Sequence, residues 1–259
     1  MAADLRMMCV LAHPDDESLG VGASLAKYGR EGIYTSVITA TRGERGRFGD
    51  APESPGPDVV GRAREAELRA AAKELGVRDL ALLDYMDAEL DRAPVKEATE
   101  KIAGHIRRVR PHVVLTFAPD GAYGHPDHIA ISQMTGAAIV AAAPEHGVSK
   151  HYHFVHSAER WGRYQTALKK LTMKVDGVER SAVAWPDWAI TTRIDATAMW
   201  ETVWRAVQCH KTQMSIYKNF GTLSEDDQKN LWGRQEFYRV FSAVNGGRQV
   251  ESDLFEGLR

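Results

Sequence analysis

Two short motifs hold most of the residue types that could do chemistry. The first, HPDDE at 13–17, joins a histidine to three acidic side chains directly after an apolar run. Acidic groups at such a place can simply complement the positive end of a helix, so this motif alone does not indicate a site. A spacing of three, however, brings His13 and Asp16 onto one side of a turn.

The second motif, YGHPDH at 123–128, places His125 and His128 three residues apart with Asp127 between them. Alone, this pair would fit surface histidines as well as metal ligands. The predicted topology favours ligands, because each motif follows a run that we predict to be a strand. In a doubly wound sheet of order 3-2-1-4-5, strands 1 and 4 are neighbours at the switch point, where ligands bind. We therefore expect the two motifs to meet.

Two imidazoles and one carboxylate form a usual ligand set for a catalytic metal ion. The predicted ligands are His13, Asp16 and His128. Zinc is the expected ion, and Fe(II) stays open because the same set suits non-haem iron. Asp15, beside a ligand, is the predicted general base for a metal-bound water. His125 would stabilise charge on an attacked carbonyl, Asp127 would favour its protonated form, and Tyr123 is a further donor on the same loop.

Alternating apolar runs and helical patterns must position these motifs. Strand-like runs cover 7–12, 33–40, 80–83 and 112–118, with 151–157 as a candidate fifth strand. Helical stretches cover 17–30, 58–75 and 94–110. This alternation predicts an α/β fold with a doubly wound, mostly parallel sheet and helices on both faces.

The pattern becomes less regular beyond residue 158. We expect a helix over 160–170, strands at 172–175 and 190–195, and a helix over 196–211. No linker-like segment separates this part, so the prediction is one domain over 1–259, with a core at about 1–157 and a C-terminal cap or extension at about 158–259. The Gly- and Pro-rich loop 41–57 is expected to be irregular and either functional or mobile.

Composition limits the function classes. A net charge of −2 argues against nucleic-acid binding and favours a small-molecule substrate. Cys9 and Cys209 fit neither a disulfide scaffold nor a thiolate metal site. The apolar run near the start is too short for a signal peptide or a membrane span, so we expect a cytoplasmic protein that binds no membrane. The sequence leaves a homo-oligomer open.

The motifs together resemble those of the LmbE/PIG-L-like N-acetylglucosaminyl deacetylases, which include deacetylases of mycothiol and bacillithiol metabolism. The resemblance spans most of the chain through AHPDDESLG, TRGE, REAELRAAAKELGV, YGHPDH and, more weakly, AVQCHKTQ. It implies a Rossmann-like fold, hydrolysis of an N-acetyl group and an amino-sugar substrate. It also implies that the family's metal ligands, general base and electrophilic histidine fall on the same residues as above.

The resemblance implies substrate contacts as well. Arg64 matches an arginine that reaches the substrate, and Asp87 matches a position that contacts sugar hydroxyls in the mycothiol enzymes. Tyr123 matches a mobile tyrosine. From the residues alone, Arg64 could equally lie on a solvated helix face, and Asp87 could be a turn residue.

Two other function classes fit parts of the sequence. The stretch GVGAS at 20–24 looks like part of a dinucleotide fingerprint, but it lacks the third glycine and the acidic residue that would end the second strand. A nucleotide-binding oxidoreductase is therefore a minor alternative. A non-catalytic, metal-binding, sugar-binding module is the other, although it would have no need of a base at Asp15.

Four further histidines have less specific surroundings. Alternation puts His151 and His153 on one strand face and His156 on the other, which favours structural roles over a second metal site. His210, in HKTQ, resembles a family position and equally suits a bond to a backbone carbonyl near a helix end.

Overall fold

The strands of the chain form one large mixed sheet and a small separate hairpin. The computed structural model describes residues 4–168, 172–175, 177–247 and 249–259. The strands in these ranges are β1 (Arg6–Leu11), β2 (Tyr34–Thr41), β3 (Asp79–Tyr85), β4 (Val113–Phe117), β5 (Lys150–Val155), β6 (Thr172–Val175), β7 (Val178–Ser181), β8 (Thr192–Asp195) and β9 (Arg234–Ser242). Seven of them form the large sheet in the order β3-β2-β1-β4-β5-β9-β8, and β6 pairs with β7.

Helices surround this sheet. They are α1 (Asp16–Leu19), α2 (Gly22–Arg30), α3 (Pro57–Glu74), α4 (Val95–Val109), α5 (Gly121–Gly124), α6 (Pro126–Ala142), α7 (Ala158–Leu168), α8 (Trp200–Cys209), α9 (Met214–Tyr217) and α10 (Glu225–Gly233). Within the described ranges, none of them is long and apolar enough to cross a membrane.

The five predicted strands are confirmed, as is their 3-2-1-4-5 order. β1 to β5 run parallel, and β1 pairs directly with both β2 and β4. The β1 and β4 side chains are almost all buried. Such continuous apolar strands are typical of a parallel sheet with both faces covered. This arrangement brings the ends of β1 and β4 to the same edge.

The C-terminal part extends the sheet as well as covering it. β9 pairs antiparallel with β5 on one side and with β8 on the other. The sequence analysis did not predict β9, whose side chains are mostly exposed or half-buried and show no clean alternation. The predicted strands at 172–175 and 190–195 are present as β6 and β8, and the helix predicted over 196–211 is α8 preceded by a short 3₁₀ turn.

The helix expected over 17–30 is broken into α1 and α2. Val21 leaves the helical conformation with φ −130° and ψ 11°. Gly20, just before it, lies so close to Phe154 that a Cβ would stand 3.0 Å from the ring. Gly20 and Val21 thus join α1 to α2, and residues 22–24 begin α2, so this stretch is not a strand-to-helix turn. This removes the dinucleotide-fingerprint alternative.

Another predicted helix, over 160–170, is present as α7. It starts at Ala158 and is described as far as Leu168. Positions 169 and 170 of the prediction lie outside the described residues.

Candidate active site

The two predicted motifs meet at the carboxyl ends of β1 and β4. His13 comes two residues after β1 ends, whereas His128 lies in the first turn of α6. The pairing of β1 with β4 brings them together although 115 positions separate them, with His13 Nδ1 3.1 Å from His128 Nε2. Asp16 completes a triangle: its Oδ2 lies 3.8 Å from His13 Nδ1, and its Oδ1 lies 3.6 Å from His128 Nε2.

The hydrogen bonds of the two histidines show which ring nitrogens are free for a ligand role. His128 Nδ1 lies 3.2 Å from the carbonyl oxygen of Gly121, so it carries the proton and leaves a lone pair on Nε2. His13 Nε2 lies 3.1 Å from a carboxylate oxygen of Asp127 and 3.1 Å from one of Asp87. It therefore donates outward, which leaves a lone pair on Nδ1.

The lone pair on His128 Nε2 lies 3.1 Å from His13 Nδ1, so either a proton on His13 or a metal ion must lie between these two nitrogens. The two ring nitrogens lie 3.1 Å apart, and each lies 3.6–3.8 Å from one oxygen of the Asp16 carboxylate, distances that suit ligands placed about 2.0–2.2 Å from one ion. The residues therefore fit a divalent metal.

Electrostatics agree with a cation at this point. Burial raises the pKa of the Asp16 carboxyl to about 7, although the charge of His13 opposes the shift. For His13, burial lowers the pKa, but hydrogen bonds to Asp127 and Asp87 outweigh it and raise the pKa to about 10. The protein thus concentrates negative charge around His13, which stabilises either a proton or a metal ion beside it.

Two trios of side chains, neither of which includes Asp16, have ligand atoms that all lie within 4.8 Å of one another. One consists of His13, His125 and His128, and the other of His13, Asp87 and Asp127. In the second trio, the Asp127 carboxylate already accepts from the backbone N–H of Ala88 at 2.7 Å and of Leu90 at 3.1 Å. Asp87 and Asp127 also lie at the ring nitrogen of His13 that points away from His128, so both are suited to orient His13.

The expected effect of Asp127 on His125 is present but outweighed. The charge of Asp127 raises the pKa of His125, while the carboxylate itself contacts His13. Burial, followed by the charge of His13, lowers the pKa of His125 to about 4. The Nδ1 atom of His125 accepts from the backbone N–H of Asp127 at 3.2 Å. A neutral His125 therefore carries its proton on Nε2.

Asp15, the predicted base, is buried and held by two donors. Its Oδ2 accepts from Arg64 Nη2 at 3.0 Å and from the Tyr217 hydroxyl at 2.8 Å. Its backbone has φ +106°, in the left-handed region that aspartate tolerates better than most residues. Strained backbone of this kind is concentrated at functional sites.

Arg64 does not lie on a solvated helix face, because only 4% of it is exposed. Its guanidinium contacts Asp15 and donates to the backbone oxygens of Pro14 and Gly43. A Cβ on Gly43 or Gly46 would lie 2.0 or 2.4 Å from Arg64 Nη1, so these glycines of the TRGERG stretch make room for the guanidinium. The arginine is thus placed to orient Asp15, and it also lines the cavity.

The sequence analysis did not identify the residues that hold the backbone and side chain of Asp15 in place. Glu17 Oε1 lies 2.7 Å from His210 Nε2, and Glu17 Oε2 accepts from the backbone N–H of Asp15 at 2.9 Å. The HPDDE and HKTQ motifs are both visible in the sequence, but their spacing does not show that they are in contact. His210 thus bonds a carboxylate and not the backbone carbonyl that was considered. Tyr217 had no sequence signal.

The three histidines of β5 and its extension lie on two faces, as predicted. His151 and His153 stack edge to face with ring centroids 5.0 Å apart. His156 lines the cavity and stacks on Trp161. Among the described residues, neither of the possible metal-binding trios includes any of them.

The ligand candidates His13, Asp16 and His128 form a donor triangle. A cavity of about 370 Å³ opens over this triangle. Tyr123 lines it, with its ring edge-on to His125 at 5.9 Å, and Asp87 lines it beside Arg45. Its size is in the range typical of small-molecule sites, about 300–1,000 Å³. The catalytic candidates therefore face a space that could hold a sugar-sized ligand.

Known proteins share both the sequence and the fold. The chain is 32% identical to a 1D-myo-inositol 2-acetamido-2-deoxy-alpha-D-glucopyranoside deacetylase of Thermomonospora curvata, over 98% of this chain and 97% of that protein. The N,N'-diacetylchitobiose deacetylase of Pyrococcus horikoshii superposes with a TM-score of 0.66 at 18% identity, covering 91% and 83% of the two chains. A 4-carboxy-2-hydroxymuconate hydratase of Pseudomonas putida superposes with a TM-score of 0.63 at 22% identity, covering 94% and 99%.

At these identities the two structural likenesses show the fold alone, and they include two different chemistries. The sequence matches go further. The family model PIG-L, described as GlcNAc-PI de-N-acetylase, matches residues 8–139, which contain both motifs of the site. By this match and by its relatedness along nearly its whole length to the Thermomonospora protein, the chain belongs to the PIG-L family.

Proposed function

We propose that this protein is a metal-dependent N-deacetylase that hydrolyses the N-acetyl group of a small molecule containing N-acetylglucosamine. The observation that carries the proposal is the donor triangle of His13, Asp16 and His128 directly beside the buried Asp15. Its relatives support the substrate class, since the curated relative acts on an acetamido-glucopyranoside.

A bound divalent ion would supply Lewis acidity, polarising the amide carbonyl and lowering the pKa of a water toward about 7. Asp15 takes a proton from the attacking water. Because Arg64 and Tyr217 both bind Oδ2 of Asp15, the other carboxylate oxygen is the one left to accept this proton. Neighbouring charge and fixed geometry thus prepare Asp15 before substrate arrives.

His125 and Tyr123 donate hydrogen bonds to the oxygen of the attacked carbonyl. Neutral His125 donates through Nε2 to that oxygen as it gains negative charge, and the Tyr123 hydroxyl adds a second donor. Asp15 or His125 then returns a proton to the leaving nitrogen as the C–N bond breaks. The products are acetate and a free amine.

Asp87 and Asp127 are assigned to the other side of His13. Both hold its Nε2–H, so they fix the ring with Nδ1 toward Asp16 and His128. Asp87 lines the cavity as well, and we infer that it can accept from a sugar hydroxyl there. Arg64 acts on the substrate through Asp15.

An amine-release assay tests this function. The metal-loaded protein is incubated with N-acetylglucosamine conjugates, beside the Asp15→Asn variant, because asparagine also tolerates the left-handed backbone at this position. We expect the wild type to release amine and the variant to lose at least about 100-fold in kcat while it keeps its metal. Near-wild-type turnover of the variant would remove Asp15 from the role of base.

The same assay distinguishes the enzyme from the non-catalytic alternative. A metal-binding, sugar-binding module would hold one ion and bind the conjugate without releasing amine. The position of Asp15, beside the donor triangle and held by two other side chains, supports the enzyme over the binding module.

Three finer assignments complete the proposal. The native ion is Zn²⁺, with Fe²⁺ as the alternative, since the donor set suits both. Residues 1–259 form one domain, because β9 from the C-terminal part pairs with β5 of the core. We also infer a cytoplasmic location, where the substrates of the mycothiol-type relatives would be met.

A further inference from the structure

We propose that the substrate carries an apolar group larger than the methyl of acetyl, and that an aromatic wall on one side of the cavity binds it. The proposal rests on the proposed function and names a substrate class for the same site. The aromatic wall consists of Phe117, Phe154, Trp161, Tyr164, Tyr217 and Phe220, which all line the cavity.

The wall consists of two groups of rings, one beside the metal ligand His128 and one that reaches the base Asp15. Phe117 stacks on His128 with ring centroids 3.9 Å apart and lies 4.5 Å from Phe154. Further out, Trp161 and Tyr164 stand 6.0 Å apart. Phe220 lies 6.2 Å from both Tyr164 and Tyr217, and the Tyr217 hydroxyl bonds to Asp15. A group attached near the scissile amide would therefore meet aromatic carbon at once.

The polar atoms of the wall are used elsewhere. The Tyr164 hydroxyl donates to the backbone oxygen of Leu19 at 3.2 Å, and the Tyr217 hydroxyl donates to Asp15. His156, whose ring lies 6.0 Å from that of Trp161 and 5.0 Å from that of Tyr164, accepts from Arg160 through Nδ1 at 3.3 Å. The side that faces the cavity is thus mostly carbon, and half-buried Met173 and Ile216 add to it. Such a surface recognises apolar groups.

Charged groups line a different part of the same cavity. Arg45 and Asp87, from the loops after β2 and β3, lie on the side of His13 that points away from His128. Sugar hydroxyls suit these groups. A cavity with one polar and one apolar side fits an amphipathic amino-sugar derivative better than a sugar alone.

Most of the wall lies outside the part of the chain that the family model matches. That match ends at residue 139, whereas five of the six wall residues lie between 154 and 220. The apolar preference therefore depends mainly on a segment that does not contain the metal-binding motifs. The apolar group could be the N-acyl chain or the group at the anomeric carbon.

Binding to an inactive protein tests the wall without relying on turnover. The metal-loaded Asp15→Asn variant is titrated calorimetrically with N-acetylglucosamine, N-octanoylglucosamine and octyl N-acetylglucosaminide. We expect at least one octyl compound to bind at least about tenfold more tightly than N-acetylglucosamine, because each buried CH₂ contributes. N-Octanoylglucosamine tests an apolar group on the acyl side, and octyl N-acetylglucosaminide tests one on the anomeric side.

A polar substitution at Ile216, which lines the cavity beside the aromatic wall, is the second test. Ile216→Asn, made in the Asp15→Asn background, should reduce the tenfold preference by at least about threefold. Val140→Asn, an equivalent change at a residue 74% exposed on α6, should leave the preference intact. Equal affinities of all three compounds, or equal effects of the two substitutions, would overturn the proposal.

The two proposals fail in different ways. If the wild type releases amine from N-acetylglucosamine conjugates but no octyl compound is preferred, the wall proposal is overturned and the deacetylase stands. If an octyl compound is preferred and Ile216→Asn abolishes the preference, but no amine is released, the wall stands and the deacetylase proposal fails.

Discussion

Glu17 and His210, 193 positions apart, form a wholly buried pair 2.7 Å long. The charge of His210 and its hydrogen bond lower the pKa of Glu17 although burial opposes this, and Glu17 in turn raises the pKa of His210. Each partner therefore favours the charged form of the other. Through its second oxygen, Glu17 holds the backbone N–H of Asp15, so the C-terminal part of the chain supports the base.

Removing one partner of this pair should be costly. His210→Ala leaves the Glu17 carboxylate buried without its cation, and we expect a loss of about 3–5 kcal/mol in the free energy of unfolding. Urea unfolding measures it. Lys229→Ala, which breaks an exposed pair with Glu225 on α10, is the control and should have a much smaller effect on the free energy of unfolding. Equal losses in the two variants would show that the buried pair contributes nothing special.

A methyl group at Gly43 should disturb Arg64. Gly43→Ala adds a Cβ that would lie 2.0 Å from Arg64 Nη1, at a residue with φ +66°. Gly32→Ala is the matched control, because its φ is +88° and nothing lies within 4 Å of the new Cβ. Both variants should lose about 1–2 kcal/mol of stability from backbone strain. Only Gly43→Ala should also lower kcat, by at least about tenfold, because Arg64 must leave Asp15. Amine release and thermal unfolding separate the two effects.

Metal content should depend on one site. We expect about one divalent ion per chain by elemental analysis, and less than about 0.1 in the His128→Gln variant. His153→Gln, on β5, should keep the full content, because no possible metal-binding trio in the described ranges includes His153. Two ions per chain, or an unchanged content in His128→Gln, would contradict the assignment of the donor triangle.

Acid should weaken a second polar cluster, far from the donor triangle in sequence. Burial alone would raise the pKa of Glu251, but hydrogen bonds, first from Lys150, lower it to about 2 from an ordinary 4.5. A lowered folded-state pKa means that the carboxylate stabilises the fold fully above about pH 5, and that this contribution disappears as the pH falls toward 2. Glu251→Gln should therefore differ most from the wild type near neutral pH.

Urea unfolding of chelator-treated protein from pH 7 to pH 3 measures this difference without the metal. The gap in unfolding free energy between wild type and Glu251→Gln should shrink as the pH falls. Glu225→Gln, at an exposed helical pair, should show almost no gap at any pH. A gap that stays constant would mean that Glu251 is not a stabilising carboxylate.

The parts of the structure that the sequence predicted depend on local pattern and on one topological rule. The strands before His13 and before the YGHPDH motif have continuous apolar runs, and the switch-point rule correctly placed them side by side. Tyr217 and His210 could not be found in this way. Their contacts with Asp15 and Glu17 depend on how α8 and α9 pack on the core, and neither residue type nor spacing encodes that packing.

The outcome at His125 has a similar cause. An acid two residues along the chain suggested a charged partner, but the side chain of Asp127 points to His13 and to the backbone of Ala88 and Leu90. Neighbours in sequence at a helix start diverge in space. Only the backbone N–H of Asp127 reaches His125.

Because β9 lies between β5 and β8, the C-terminal third protects the sheet from unwanted pairing. Cutting the chain near residue 157 would keep both metal-binding motifs but would uncover the backbone amides and carbonyls of β5, together with the buried Tyr152 and Phe154. An exposed apolar strand edge is a template for joining another molecule. A shortened chain would therefore self-associate and precipitate before it could serve as a minimal enzyme.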